Sequence, residues 1–300
     1  MVSKATDDII EGRKTFFVAA EPSLLPDSYL ADYLARGYEI YVVPDDRNCP
    51  LHKKVEAIIS IFQDAMFFFY IDAKIPGISW EYYIKSLQEH YADDILIGVL
   101  YLKRNNETER KELERYYLFD VGIQCGCIAL EYQKAKNFLL IERVMFANQA
   151  SGKRKNVRAI CDANSKVTFS YNNTNYSCQL NDISLSHFSC TISGESYIPQ
   201  YEKVSDALID LNGLHFKTDA ILMMQRLTNH NTLLMFIFVK ANDQQGLDED
   251  LKPRLAEKIY QLVTNKVKTI LQLMFDELGR SDRDPGARTE FRAEDFRQFL

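Results

Sequence analysis

The apolar positions change period once along the chain, and that change divides it. Over residues 15–148, short continuous apolar runs alternate with stretches whose apolar residues recur every three or four positions. The runs at 15–20, 38–43, 65–71, 95–102 and 125–130 fit strands buried on both faces, as in a parallel sheet. The intervening stretches at 25–36, 50–64, 80–91, 107–118 and 134–148 read as helices. Val55, Ile58, Ile59 and Phe62 share one face of the second, and Gly37 supplies a stop for the first. Five strands alternating with five helices predict a doubly wound α/β domain of flavodoxin-like order over 15–150, preceded by a polar leader, 1–14, with a short helical stretch at 7–11.

From residue 157 the period becomes two. Strands are expected at 166–171 and 176–180, flanking the turn Asn172-Asn173-Thr174-Asn175, and at 188–192. Two more, at 207–211 and 215–226, flank Asn212-Gly213, and a last one at 232–239 follows Asn229-His230-Asn231. Six short antiparallel strands predict a small all-β domain, a β-barrel, over 151–245. A C-terminal segment, 246–300, then carries one long helix at 251–278. Its stripe of Leu255, Ile259, Leu262, Val263, Val267, Ile270, Leu271 and Met274 is longer than one small domain needs. That stripe leaves two alternatives: packing within the chain, or a homodimer through a second copy. The strongly charged stretch 279–300 reads as weakly structured.

Composition narrows the function classes. The chain is 46% hydrophobic and 26% charged, ordinary for a soluble globular protein, and no apolar run reaches the roughly 20 residues of a membrane helix. Its start lacks an apolar signal-peptide core, so a soluble cytoplasmic protein without membrane insertion is expected. A net charge of −6 and no basic stripe argue against a nucleic-acid partner. Cys49, Cys125, Cys127, Cys161, Cys178 and Cys190 form no Cys-x-x-Cys pair, so reduced thiols and no metal are expected. No Gly-x-Ser-x-Gly, Walker, His-Glu-x-x-His or Gly-x-Gly-x-x-Gly sequence occurs, and the expectation is a protein that is not an enzyme.

The candidate chemistry lies at the change of period. Lys153-Arg154-Lys155-Asn156-Val157-Arg158 precedes the barrel pattern, and Asn181-Asp182-Ile183-Ser184-Leu185-Ser186-His187 follows its first hairpin. A forked guanidinium binds phosphate oxygens bidentately and lies flat on a base, and a carboxylate and a hydroxyl satisfy Arg and guanine edges. The two motifs resemble those of the PilZ domain, the bacterial receptor for cyclic di-GMP: Arg154 and Arg158 match its Arg-x-x-x-Arg, and Asp182 and Ser184 its Asp-x-Ser-x-x-Gly. The resemblance implies that Arg154 and Arg158 stack on guanine and contact the phosphates. It implies that Asp182 orients an arginine or accepts from a guanine edge, and that Ser184 gives a hydroxyl bond. Lys153 and Lys155 either add favourable potential or simply solubilise the linker. His187 stands where the family has glycine, either as a turn residue or as a ligand contact.

A second resemblance concerns the α/β domain. Asp72-Ala73-Lys74-Ile75-Pro76-Gly77 is similar to the phospho-acceptor segment of response-regulator receivers. The acidic pair that holds Mg²⁺ there is replaced by Ala19 and Ala20, with Glu21 nearby, and the lysine after the fifth strand by Glu131. The expectation is a degenerate receiver-like domain that is not phosphorylated, with Asp72 as a strand-end carboxylate. Together the resemblances imply a non-catalytic cyclic di-GMP effector, in which ligand changes domain orientation and contacts to a protein partner. The alternative is a nucleotide-independent interaction scaffold.

Overall fold

A computed structural model describes residues 12–25, 27–45, 49–62, 64–104, 106–151, 156–195, 198–228 and 230–283. The helical stretch expected at 7–11 lies outside them. The chain forms two compact units. One has the bounds Met1–Lys155 with Val267–Leu300, and the other is Asn156–Lys266.

The first unit holds five parallel strands: β1 (Thr15–Val18), β2 (Ile40–Val43), β3 (Ala65–Tyr70), β4 (Ile95–Leu102) and β5 (Cys127–Leu130). Their order is β2-β1-β3-β4-β5, the flavodoxin-like order. The connecting helices are α1 (Asp27–Ala35), α2 (Leu51–Ile61), α3 (Trp80–Tyr91), α4 (Glu107–Arg115) and α5 (Lys134–Ala147). Every residue of β3 is buried, which is why its sequence, AMFFFY, is a run and not an alternation. The two-residue period still sorts its side chains. Phe16, Phe67, Phe69 and Ile97 face one core with α2 and α3, whereas Phe17, Met66, Phe68 and Tyr70 face another with Tyr33 and Phe138 of α1 and α5.

Some boundaries differ from the sequence reading. β2 starts at Ile40 and β5 at Cys127, after the left-handed Gly126 at φ 75°. The fourth helix leaves α geometry at Tyr116 for a π-helical turn, Tyr116–Val121, which buries Tyr117 and Val121 and ends at Gly122 with φ 80°.

The second unit is all antiparallel: β6 (Ala159–Ile160), β7 (Lys166–Tyr171), β8 (Thr174–Ile183), β9 (His187–Ser193), β10 (Lys203–Leu211), β11 (Leu214–Thr228) and β12 (Asn231–Val239). Six of these follow the order β8-β7-β10-β11-β12-β9, and a β8–β9 pairing closes the barrel. The first turn is the two residues Asn172-Asn173, both with positive φ (47° and 62°). Thr174 and Asn175 therefore belong to β8, not to the turn expected from sequence. Inward-facing Val167, Phe169, Cys178, Leu180, Phe188, Phe236 and Phe238 fill the interior, with Phe188 stacked on Phe236 at 5.1 Å.

Helix α6 (Leu251–Arg283) runs five residues past the end at 278 read from the sequence. Leu255 and Ile259 belong to the barrel core, and Val267, Ile270, Leu271, Met274 and Phe275 to the core of the α/β unit. Six of the eight stripe residues are thus buried by this chain itself, and Leu262 and Val263 are half-buried against the barrel core.

Candidate functional site

The short strand β6 was not visible in the sequence, yet it positions the key residue. It pairs Ala159 with Ile183 and Ile160 with Asp182, and so lays Arg158 alongside the far end of β8. There β8 is irregular: between Leu180 and Asp182 its register with β9 shifts by a bulge. Interior positions run 176, 178, 180 and then 183, so the extra residue re-aims Asp182 out of the core alternation.

The result is a polar cluster on the barrel. Arg158 Nε is 3.2 Å from Asp182 Oδ1, with the Arg side chain 30% and the Asp 20% exposed. The ion pair is not aligned as a hydrogen bond, and both atoms are buried without a hydrogen-bond partner. Asp182 Oδ2 accepts from the Ser189 hydroxyl, directly opposite on β9. Arg158 Nη2 donates to His187 Nε2. Because guanidinium has only donors, that contact fixes His187 as the neutral tautomer protonated on Nδ1, which faces Ser186 Oγ at 2.9 Å.

Ser184 is wholly buried and built into the turn. Its Oγ accepts from the backbone N–H of Ser186 at 3.3 Å and of His187 at 3.2 Å, and donates to the His187 carbonyl at 3.1 Å. The turn closes with Ser184 N donating to His187 O at 2.9 Å. Asn156 Nδ2 donates to Ser186 Oγ at 3.3 Å. The structure therefore gathers Arg158, Asp182, Ser184 and His187 into one network. Arg154 and Lys153 lie outside the described residues. Ser189, Ser186 and Asn156 were missed; a serine alternating with the apolar Phe188 and Cys190, on the face opposite theirs, was the available signal for Ser189.

Cys161 adjoins the cluster. Burial, then the Asp182 and Asp162 carboxylates, push its thiol up to about 12, so it stays protonated at neutral pH and is a poor nucleophile. Among the described residues no group of His, Cys, Asp and Glu is arranged to hold a metal, and no helix is long and apolar enough to cross a membrane.

The carboxyl ends of the parallel strands form the other region where an α/β fold holds ligands. Asp72 is occupied there: its Oδ2 accepts from Leu102 N at 2.6 Å and its Oδ1 pairs with Arg104. Glu131 is bracketed by Lys103 at 2.7 Å and Lys136 at 2.8 Å, and these bonds lower its pKa to about 2.

No family model and no curated protein sequence matches the chain. Among solved structures, YcgR from Escherichia coli in complex with c-di-GMP is 14% identical, over 41% of this chain and 51% of that one, with a TM-score of 0.36. The MrkH–c-di-GMP complex of K. pneumonia is 12% identical, over 39% and 55%, at 0.35. The isolated PilZ domain of E. coli YcgR with c-di-GMP is 14% identical, over 39% and 96%, at 0.33. This chain thus spans about half the length of YcgR and MrkH. In the barrel unit of this chain, Arg158 precedes β6, Asp182 lies near the end of β8, and Ser184 follows in the turn to β9.

Proposed function

We propose that the barrel unit is a receptor for cyclic di-GMP and that the chain is a non-catalytic effector of that ligand. The observation that carries this reading is the Arg158–Asp182 pair. A cation immediately before β6 is held against a carboxylate on β8, but its Nε and the facing Oδ1 have no hydrogen-bond partner. Buried polar atoms left in that state are uncommon and mark sites where a further partner belongs. A guanine dinucleotide offers phosphate oxygens to the guanidinium and N–H edges to the carboxylate, so one ligand satisfies both. Arg154, four residues earlier, supplies the second cation for a doubly charged ligand, and Lys153 adds to the local positive potential. Ser184 acts by holding the turn that presents His187. Its hydroxyl already serves two amides and a carbonyl.

In this reading, ligand binding at Arg158 changes the orientation of the two units, and a partner protein reads the altered surface. The α/β unit contributes as a receiver-like scaffold. Its Asp72 is engaged by Arg104 and the β4 backbone, not poised for phosphoryl transfer.

A second reading is favoured by one observation. His187 already occupies an Arg158 donor, as it would in a scaffold that binds no nucleotide. Calorimetric titration of the full chain with cyclic di-GMP and, separately, cyclic di-AMP separates the readings. The receptor reading expects saturable heat with the guanine ligand and much less with the adenine one. Equal heats would remove guanine recognition, and no heat with either would favour the scaffold.

A further inference from the structure

The hydrogen bond between Arg158 and His187 does more than decorate the site. Arg158 has two groups facing protein: Nε toward Asp182 Oδ1 at 3.2 Å, and Nη2 on His187 Nε2. The first contact is misaligned and the second is a hydrogen bond, so it is His187 that fixes the guanidinium plane. His187 is itself held from behind. Its Nδ1 faces Ser186 Oγ at 2.9 Å and Ser184 Oγ at 3.1 Å, and Ser186 Oγ accepts from Asn156. With Ser184 committed to two amides and a carbonyl, the Nδ1 proton goes to Ser186. Hydrogen bonds thus join Asn156–Ser186–His187–Arg158, and an ion pair carries the chain on to Asp182 and Ser189, linking the segment before β6 to β8 and β9.

We infer that the His187 imidazole is a latch, which occupies Arg158 and must release it before the guanidinium can grip a phosphate or a guanine face. This rests on the receptor reading above and adds a determinant of affinity to it. The latch is a side chain, so its release needs only a turn of the imidazole. The backbone of the turn is independently secured by Ser184 N to His187 O and by Phe238 N to Ser186 O at 3.1 Å. The physical consequence is competition: whatever free energy the Arg–imidazole bond provides is subtracted from ligand binding. A hydrogen bond to a charged group in a partly dry site corresponds to about tenfold or more in affinity.

The test compares cyclic di-GMP affinity of the full chain with that of His187→Ala, in the presence and absence of Arg158→Ala, with thermal melting to verify folding. The expected result is about tenfold tighter binding for His187→Ala, and no such gain when Arg158→Ala is also present. A second readout needs no variant. The imidazole nitrogen resonances of His187 should report the Nδ1–H tautomer in the free protein and should move on addition of cyclic di-GMP. If the wild type binds but His187→Ala binds equally or more weakly, the latch is wrong while the receptor reading stands. Wild-type binding with unmoved His187 resonances refutes it in the same way. If neither wild type nor His187→Ala binds, the receptor reading fails and takes the latch with it.

Discussion

Arg158 Nε stands 3.2 Å from Asp182 Oδ1, and neither atom has a hydrogen bond. The pair is held together by neighbours: Ser189 on the other carboxylate oxygen, and His187 on the far end of the guanidinium. Truncating Asp182 to alanine leaves the Arg158 cation without its counter-charge and the Ser189 hydroxyl without its acceptor. At neutral pH this should cost about 1–3 kcal/mol of barrel stability. Urea denaturation reads it directly, and an unchanged midpoint would show that the pair contributes nothing to the fold.

Ser184 is a structural hydroxyl. Ser184→Ala removes the acceptor for two backbone amides in a wholly buried position, a loss of about 1–2 kcal/mol. The urea midpoint should fall accordingly. A midpoint equal to wild type would mean that water replaces the hydroxyl without cost.

The α/β core makes an independent prediction. A Cβ added to Gly98 would lie 2.6 Å from Cε1 of Phe68, a ring stacked on Phe17 at 5.2 Å, and 3.0 Å from Cys125 Cβ. Neither neighbour is free to retreat, so Gly98→Ala should overpack the sheet and destabilise by about 1–3 kcal/mol. Thermal melting checks it; a higher melting temperature would contradict the packing.

How far the sequence led can be seen residue by residue. The runs that became β3, β4 and α3 were legible because burial on both faces, or on one helical stripe, leaves an unmixed apolar pattern. β6 was not, because two residues, Ala159 and Ile160, carry no period. The far end of β8 was read as loop because the bulge before Asp182 breaks the alternation. The nearness of Arg158 to Asp182 was implied by the family resemblance of the two motifs, not by any period in the chain. The engagement of Arg158 by His187 did not, since the direction of that imidazole is set by Ser184 and Ser186 within a folded turn. The burial of the α6 stripe by two different cores was likewise hidden, because periodicity shows that a face is covered but not by what.

Glu131 supplies a pH dependence. Its bonds to Lys103 and Lys136 lower its pKa from 4.5 to about 2 in the folded protein. The folded state therefore binds its proton later than the unfolded state as pH falls. The associated stability is present above about 4.5 and is lost as pH drops toward 2. Melting temperatures of wild type and Glu131→Gln should differ at neutral pH and converge near pH 2, and salt should shrink the difference. A constant difference across that range would show that the lysine bonds do not shift the carboxylate.

The most direct test of the central claim is the affinity of cyclic di-GMP for the wild-type chain set against Arg158→Ala, by titration calorimetry in one buffer. The account predicts saturable binding to the wild type, weakened at least about tenfold by the substitution. Identical isotherms for the two proteins would contradict it.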